Sequence, residues 1–337
     1  MKFFIQKFFF LILGVSLTAC SQDKKTMITQ NPTITADNIS EEIAKQVKNY
    51  SSEKIYAISF TNNKCYFDLY LNDIKVHRNF NGPRGNSAAE INNVVFKNGS
   101  QKISYKMYPA GKTEEYDEIY NTLTDDSYLE FELNSYDLKK EGEDDEVYMK
   151  YKTPTTELKI SEQYSEHKFI ATGKTYYEGS FTINVEVPYK LDQPFENAQD
   201  LKKLDKKELE AKLVKKYREI KDIYQNKEYD NIAKLAFDNL KNTFISSYES
   251  KEEIKNSWQK LIKLYGDSKI EMLPIENYKL EFFADGKLVA LMTNSNDKKR
   301  RGRNALCGKI VKDKGESTFE IKHYFYIPQG KTEFNVY

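Results

Sequence analysis

Apolar and polar residues alternate with a period of two along most of the chain between Lys54 and about Tyr189. Successive side chains of a strand point to opposite faces, so this pattern predicts strands with one face on a core and one in water. The clearest strands are predicted at 55–60, 65–71, 102–108, 128–133, 147–151 and 181–187. Many short strands separated by turn residues favour an antiparallel β-sandwich, which we expect to span 38–190.

The pattern changes after Pro188 and Pro194, where apolar residues recur every three or four positions. Three such stripes, at 209–224, 232–248 and 254–265, predict three helices. A hairpin pattern at 278–292 and further strand segments at 318–326 and 334–337 follow them. Helices followed by an antiparallel sheet predict an α+β domain at 196–337, so the expected fold class is α+β and β-rich.

The amino-terminal segment combines Lys2 and Lys7, an apolar stretch from Phe8 to Val15 and the run 17–20, Leu-Thr-Ala-Cys. The stretch is too short for a permanent membrane anchor. The run resembles the lipobox of bacterial lipoproteins, which implies that residues 1–19 are a cleaved signal and that Cys20 is acylated. The resemblance places the protein in a bacterial envelope, bound to a bilayer through its acyl chains. A soluble export signal with an incidental cysteine is the alternative.

Residues 20–37 contain little apolar periodicity and are predicted to be a flexible tether. Their start, Ser21 to Lys25, resembles the surface-export tags of Bacteroidota lipoproteins, although ordinary tether sequence explains it equally well. The membrane leaflet therefore stays open. Without residues 1–19 the chain still exceeds the ~250 residues at which single cores usually divide, so two domains are expected.

Two weaker resemblances concern the fold. The segments 69–76, 94–99 and 101–105 resemble the strand and turn series of galactose-binding-like jelly rolls, over a predicted region of about 54–189. The order of helices and strands at about 200–337, with Asn226 to Asp230 between two helices, resembles the NTF2-like fold. Neither resemblance by itself implies that sugar is bound.

Residues suited to catalysis or metal binding are sparse. The three histidines, His77, His167 and His323, have no histidine or cysteine nearby and are predicted to lie on strand surfaces. No zinc spacing and no Gly-x-Ser-x-Gly elbow is present, so no cofactor, metal or catalytic residue is assigned. Cys65 and Cys307 are expected to be free rather than bridged.

One segment stands out by charge. Lys298, Lys299, Arg300, Arg301 and Arg303 supply five cations within six residues, between two predicted strands. An exposed loop is the expected structure, and such a loop can hold anionic groups of lipids, glycolipids or proteins. Nucleic acid is not an expected partner, because the resemblance to lipoproteins places the body outside the cytoplasm. We name residues 298–303 the basic loop.

These observations predict a membrane-anchored, non-catalytic module that binds a protein or a glycan in the envelope. Two alternatives remain open. An immunity-type lipoprotein would neutralise a secreted antibacterial toxin, with the basic loop facing an acidic cleft. An envelope polysaccharide or peptidoglycan hydrolase would require two carboxylates about 5–9 Å apart in an aromatic-lined cleft.

Overall fold

The computed structural model describes residues 28–337, apart from 141, 143, 144, 268, 313 and 314. The helices are α1 (Ile39–Ala44), α2 (Lys206–Gln225), α3 (Tyr229–Ser246) and α4 (Lys251–Gly266). The strands are β1 (Lys54–Asn63), β2 (Cys65–Leu71), β3 (Ile74–Asn79), β4 (Gly85–Glu90), β5 (Gly99–Pro109), β6 (Tyr128–Asp137), β7 (Glu146–Lys152), β8 (Thr155–Lys159), β9 (Ser165–Phe169), β10 (Tyr177–Val185), β11 (Ile270–Met272), β12 (Tyr278–Phe283), β13 (Leu288–Thr293), β14 (Cys307–Lys312), β15 (Gly315–Glu320), β16 (Phe325–Tyr326) and β17 (Asn335–Val336).

Three four-stranded antiparallel sheets form most of the body. The first sheet has the order β4-β1-β6-β7, the second β10-β5-β2-β3 and the third β12-β13-β16-β17. A smaller sheet, β11-β14-β15, and a separate hairpin, β8-β9, complete the strands of the described residues. The α+β, β-rich fold class predicted from the sequence is confirmed.

The first and second sheets pack face to face around an aromatic core. The Phe67 ring of the second sheet meets Phe60 and Phe131 of the first edge to face, with ring centroids 4.9 and 6.0 Å apart. Edge-to-face contacts satisfy the ring quadrupoles while burying a large apolar area. The hydroxyl groups of Tyr105 and Tyr151 bond across the same gap at 2.9 Å.

The third sheet lies between two hydrophobic cores. In β13, Leu288 and Ala290 pack in the core of the sandwich, whereas Val289 and Leu291 pack in a second core with the helices. Every residue of β13 is buried, as expected for a strand that is covered on both faces. The first of these cores therefore contains residues of both the sandwich and the carboxyl-terminal part.

The helices cover the other face of the third sheet through their apolar stripes. Tyr217 of α2 packs on Phe325, with ring centroids 4.8 Å apart, and its hydroxyl group accepts a hydrogen bond from the backbone of Leu291. Asp205 caps α2, and Ser250 with Glu253 forms a capping box at α4. All three long helices predicted from the apolar stripes are confirmed: each buries its apolar stripe, and α2 and α4 also have side-chain caps.

The segment that precedes the sandwich belongs to the helical side of the molecule. Ile28 and Ile34 are buried in the second core, together with α1. The Asn31 side chain donates to the backbone of Lys234 at 3.0 Å, and that of Gln30 donates to Val336 at 3.2 Å. The sequence predicted a flexible tether through residue 37, but residues 28–37 are packed, because these amides bond to the body and the isoleucines fill its core.

Candidate binding face on the first sheet

The outer face of the first sheet forms an open groove of about 840 Å³. Residues directly opposite each other in an antiparallel sheet share a face, so the register decides which side chains line it. Thr61 pairs with Glu130, and Glu130 with Lys152, while Ser59 pairs with Glu132, and Glu132 with Lys150. These alternate positions point away from the aromatic core, and Asn86 and Ala88 of β4 extend the row.

Two neighbouring ion pairs cross this face, and we call each of them a rung. Lys150 Nζ lies 2.7 Å from Glu132 Oε2, and Lys152 Nζ lies 2.6 Å from Glu130 Oε1. All four side chains keep a substantial exposed fraction, so the pairs are solvated. The rungs combine strong acceptors and donors with no net charge.

Further polar groups continue the row along β1 and β6. The Asn134 side chain donates to Ser59 Oγ at 2.7 Å, which fixes both groups beside the Glu132 rung. The hydroxyl group of Thr61 is half-buried on the same face. Apart from Ala88, the outward side chains of the groove are polar.

A tyrosine stands at each end of the row on β6. Tyr128 is half-buried, and Lys152 Nζ lies 4.7 Å from the centre of its ring. Tyr136 is 39% exposed, and its hydroxyl group donates to Glu90 Oε1 at 3.1 Å. Partial burial, together with the Glu90 carboxylate, raises the pKa of Tyr136 to about 12. Both rings place apolar faces at the ends of a polar row.

The floor beneath the groove is rigid. Tyr151 stacks on Phe181, with ring centroids 4.3 Å apart, and its hydroxyl group meets that of Tyr105. Gly179 lies against the Tyr105 ring so closely that a β-carbon there would come within 2.2 Å of the hydroxyl oxygen. Close packing of this kind holds the backbone of the face in place.

The structure divides the predicted binding residues of the basic loop into two groups. Lys299, Arg300 and Arg301 are exposed, whereas Lys298 and Arg303 are half-buried. No ion pair between these five cations and an acidic side chain is present among the described residues. The exposed loop that the sequence predicted is therefore only partly free.

Contacts from the second sheet hold the backbone of the basic loop. The Arg78 guanidinium donates to the carbonyl oxygens of Lys298 and Lys299, and Lys75 Nζ donates to that of Gly302 at 3.1 Å. Lys298 Nζ donates in turn to the backbone of Ala110. The loop thus fastens the carboxyl-terminal part to the outer face of the second sheet.

Other residues singled out from the sequence do not assemble into a site. Cys20 lies outside the described residues. Cys65 and Cys307 are free, and burial raises the pKa of Cys65 to about 12, which disfavours the reactive thiolate. No group of three potential ligands is arranged around a metal position in the described part of the chain.

The prediction of a strand-surface position is wrong for His323. This side chain is only 4% exposed, and its Nε2 lies 3.0 Å from the hydroxyl oxygen of Tyr224. Burial without a nearby acid lowers the pKa of His323 to about 4. The imidazole is neutral and structural, inside the second core.

Sequence reasoning did not single out the face of the first sheet. The signal was present, because Glu130 and Glu132 alternate with apolar residues, as do Lys150 and Lys152 in the next strand. Only the register of β6 and β7 shows that each glutamate meets a lysine.

Comparisons with family models, curated proteins and solved structures gave no match. No helix of the described residues combines the length and apolarity needed to cross a membrane.

Proposed function

We propose that this protein is a lipid-anchored, non-catalytic binding module of a bacterial envelope, and that its ligand is a neutral glycan held on the outer face of the first sheet. The observation that carries the proposal is the row of Glu–Lys rungs, hydroxyl groups and amides, with a tyrosine at each end. The anchor is supported by Leu17 to Cys20 and by the charged and apolar residues before them.

The chemistry of the row matches the hydroxyl groups of sugars. A sugar hydroxyl both donates and accepts, so it can bond at once to a carboxylate, which only accepts, and to an ammonium, which only donates. The rungs at Glu130 and Glu132 each present one carboxylate and one ammonium group, and they lie about 7 Å apart along β6. Ring faces of Tyr128 and Tyr136 supply the apolar surface on which a sugar ring stacks.

The charge and shape of the groove favour a neutral, extended ligand. Each carboxylate is matched by a lysine, so a strongly acidic or basic ligand would meet a repelling partner at each rung. Apart from Ala88 and the two tyrosines at its ends, the outward side chains of the row are polar, whereas large aromatic and aliphatic anchors dominate protein interfaces. An open sheet face of this size fits several sugar units side by side.

Binding is tested by calorimetry with neutral β- and α-linked oligosaccharides of about four to six units. We expect at least one series to bind and Glu132→Gln to weaken that binding at least tenfold, because a rung that touches the ligand loses its charge-assisted bond. Glu196→Gln is the matched control, since Glu196 forms an exposed ion pair with Lys97 away from the groove. No binding in any series, or an equal loss in both variants, contradicts the proposal.

The same titrations examine the hydrolase alternative. Glu130 and Glu132 lie on one strand face at a separation that glycosidases also use. The groove is open, however, and would not exclude water or grip a distorted sugar ring. We expect the oligosaccharides to be recovered intact; release of shorter products that depends on Glu130 would establish catalysis instead.

The anchor requires its own test. Cys20→Ala should leave a precursor that lacks acyl chains and no longer partitions with membranes after a high-salt wash. Mass spectrometry of the wild-type protein should show an acylated amino-terminal cysteine. An unmodified terminus would remove the lipoprotein part of the proposal and leave the binding face unaffected.

A second candidate function is contact with an acidic protein through the basic loop. Lys299, Arg300 and Arg301 are exposed and form no ion pair with the described residues. This arrangement suits the immunity-type alternative, in which charge attraction speeds capture of a toxin. Reversal of these three charges should slow association with such a partner and leave glycan binding unchanged.

A further inference from the structure

A small cavity of about 40 Å³ lies where the basic loop meets the second sheet. Its wall includes Lys75 and Arg78 of β3, Gly302 of the loop, Glu320 at the end of β15 and Lys322 just after it. A water molecule needs roughly 10–15 Å³ measured this way, so the cavity has room for a small ion.

One donor of Arg78 is left over at this cavity. The two terminal nitrogens of the guanidinium bond to the backbone of Lys298 and Lys299. The third donor, Nε, is buried and has no hydrogen-bond partner among the described residues. An unpaired buried donor is costly, so a partner that accepts its hydrogen would stabilise the site.

Gly302 keeps the space beside this donor open. A β-carbon at Gly302 would lie 3.4 Å from Arg78 Nε and 3.7 Å from Lys75 Nζ, so two cationic donors converge above the bare α-carbon. Gly302 has φ of +75°, a conformation that glycine adopts without strain. Any larger residue would occupy the position between the two donors.

Positive charge at the junction exceeds the negative charge that faces it. Arg78, Arg303 and Lys322 form no ion pair within 4 Å of an acidic side chain in the described part of the chain, and Lys75 has Asp68 at 3.5 Å. Glu320, the acid in the wall, already accepts from the backbone of Asn304 at 2.8 Å.

The pKa values of two cations at the junction are lowered. Burial lowers the pKa of Arg78, with Asp68 opposing the shift and Arg303 adding to it. Burial and Arg301 likewise lower the pKa of Lys298 on the neighbouring turn. Desolvation of cations without matching anions is unfavourable, and a bound anion would offset it.

We propose that this junction is a binding site for one small anion of about the size of chloride, held by Arg78 Nε, Lys75 Nζ and Lys322. The site is separate from the glycan face and goes beyond the proposed function. Its occupant joins the second sheet to the basic loop, so the anion stabilises the contact between the sandwich and the carboxyl-terminal part.

The proposal is tested by thermal unfolding of the purified full-length protein at constant ionic strength, with chloride replacing gluconate. We expect the midpoint to rise and saturate with chloride, and bromide to act in the same way. Arg78→Gln should raise the half-saturating concentration at least tenfold. Lys322→Gln provides a second variant at an exposed wall residue, in case Arg78→Gln does not fold.

Lys299→Gln is the matched control, because this exposed lysine belongs to the same loop and lies outside the cavity. Its half-saturating concentration should equal that of the wild type. A linear rise with chloride that is parallel in all four proteins would overturn the proposal, since it indicates a general salt effect.

Crystals soaked in bromide give an independent measurement. We expect an anomalous peak within hydrogen-bond distance of Arg78 Nε, and its loss in Lys322→Gln or Arg78→Gln. Absence of a peak, or a peak at molar bromide without saturable stabilisation in solution, identifies at most an adventitious ion and contradicts the proposal.

Discussion

The outer faces of the first and second sheets come from similar alternating sequences, but the first face is exposed and the second is buried. Glu130 and Glu132 of β6 stay at the surface and are paired with solvated lysines. In β2, Asp68 alternates with apolar residues in the same way, yet every residue of that strand is buried. The third sheet and the basic loop cover the second sheet, so a similar alternation becomes either a solvated face or an internal junction.

Ion pairs on the two faces should differ most in their effect on stability. Lys75→Gln removes the ion pair of the buried Asp68 carboxylate, while Arg78 still faces it. We expect a loss of about 3 kcal/mol in the free energy of unfolding, the low end of the range for a broken buried pair. Lys150→Gln on the open face should cost less than about 1 kcal/mol. Chemical denaturation of both variants measures the difference.

The double variant Asp68→Asn with Lys75→Met separates charge burial from packing. Removal of both charges should restore most of the stability lost in Lys75→Gln. Equal losses of unfolding free energy for Lys75→Gln and Lys150→Gln would show that the outer face of the second sheet is as solvated as that of the first. This result would contradict the predicted difference between the two faces.

The covered side of the third sheet should also respond to pH. The pKa of His323 falls from 6.5 to about 4 on folding, so its contribution is complete above pH 6.5. It is lost progressively as pH falls from 6.5 to 4, by about 3 kcal/mol in total, because the unfolded chain takes up the proton first. Denaturation curves across this range measure the slope.

Two histidine variants sharpen this measurement. His323→Gln should flatten the dependence between pH 6.5 and 4, while His167→Gln, at an exposed position on β9, should leave it in place. An unchanged slope in His323→Gln would assign the pH dependence to other groups.

The smallest expected effect concerns the coupling between Glu132 and Lys150. A double-mutant cycle with Glu132→Gln and Lys150→Gln should give a coupling energy below about 1 kcal/mol that decreases with added salt. A larger, salt-independent value would mean that the groove is shielded from solvent, unlike the open face described above.

Local patterns in the sequence predicted most elements of the fold. The apolar stripes located α2, α3 and α4, and the hairpin of β12 and β13 was also predicted. The sequence of β13 also indicates how this strand is buried. The residues of β13 are almost all apolar rather than alternating, which indicates a strand covered on both faces.

The covered face of the second sheet could not be predicted in this way. Tyr66 and Tyr70 suit either a surface or a core, because tyrosine has an apolar ring and a polar end. Lys298, whose Nζ lies 5.1 Å from the centre of the Tyr66 ring, is more than 200 positions away, in a loop whose cations suggested exposure. Tyr70 is buried in the first core, which also contains the distant Phe283 and Tyr324. The candidate glycan face was missed for the same reason, since strand register is a long-range property.

The packing of Ile28 limits how the molecule sits if Cys20 is acylated as proposed. Seven residues, 21–27, separate the two positions, and fully extended they reach about 25 Å. A connection this short would hold the helices near the bilayer. The first sheet, at the far end of the stack of layers, would then look outward, toward molecules that approach from the aqueous side.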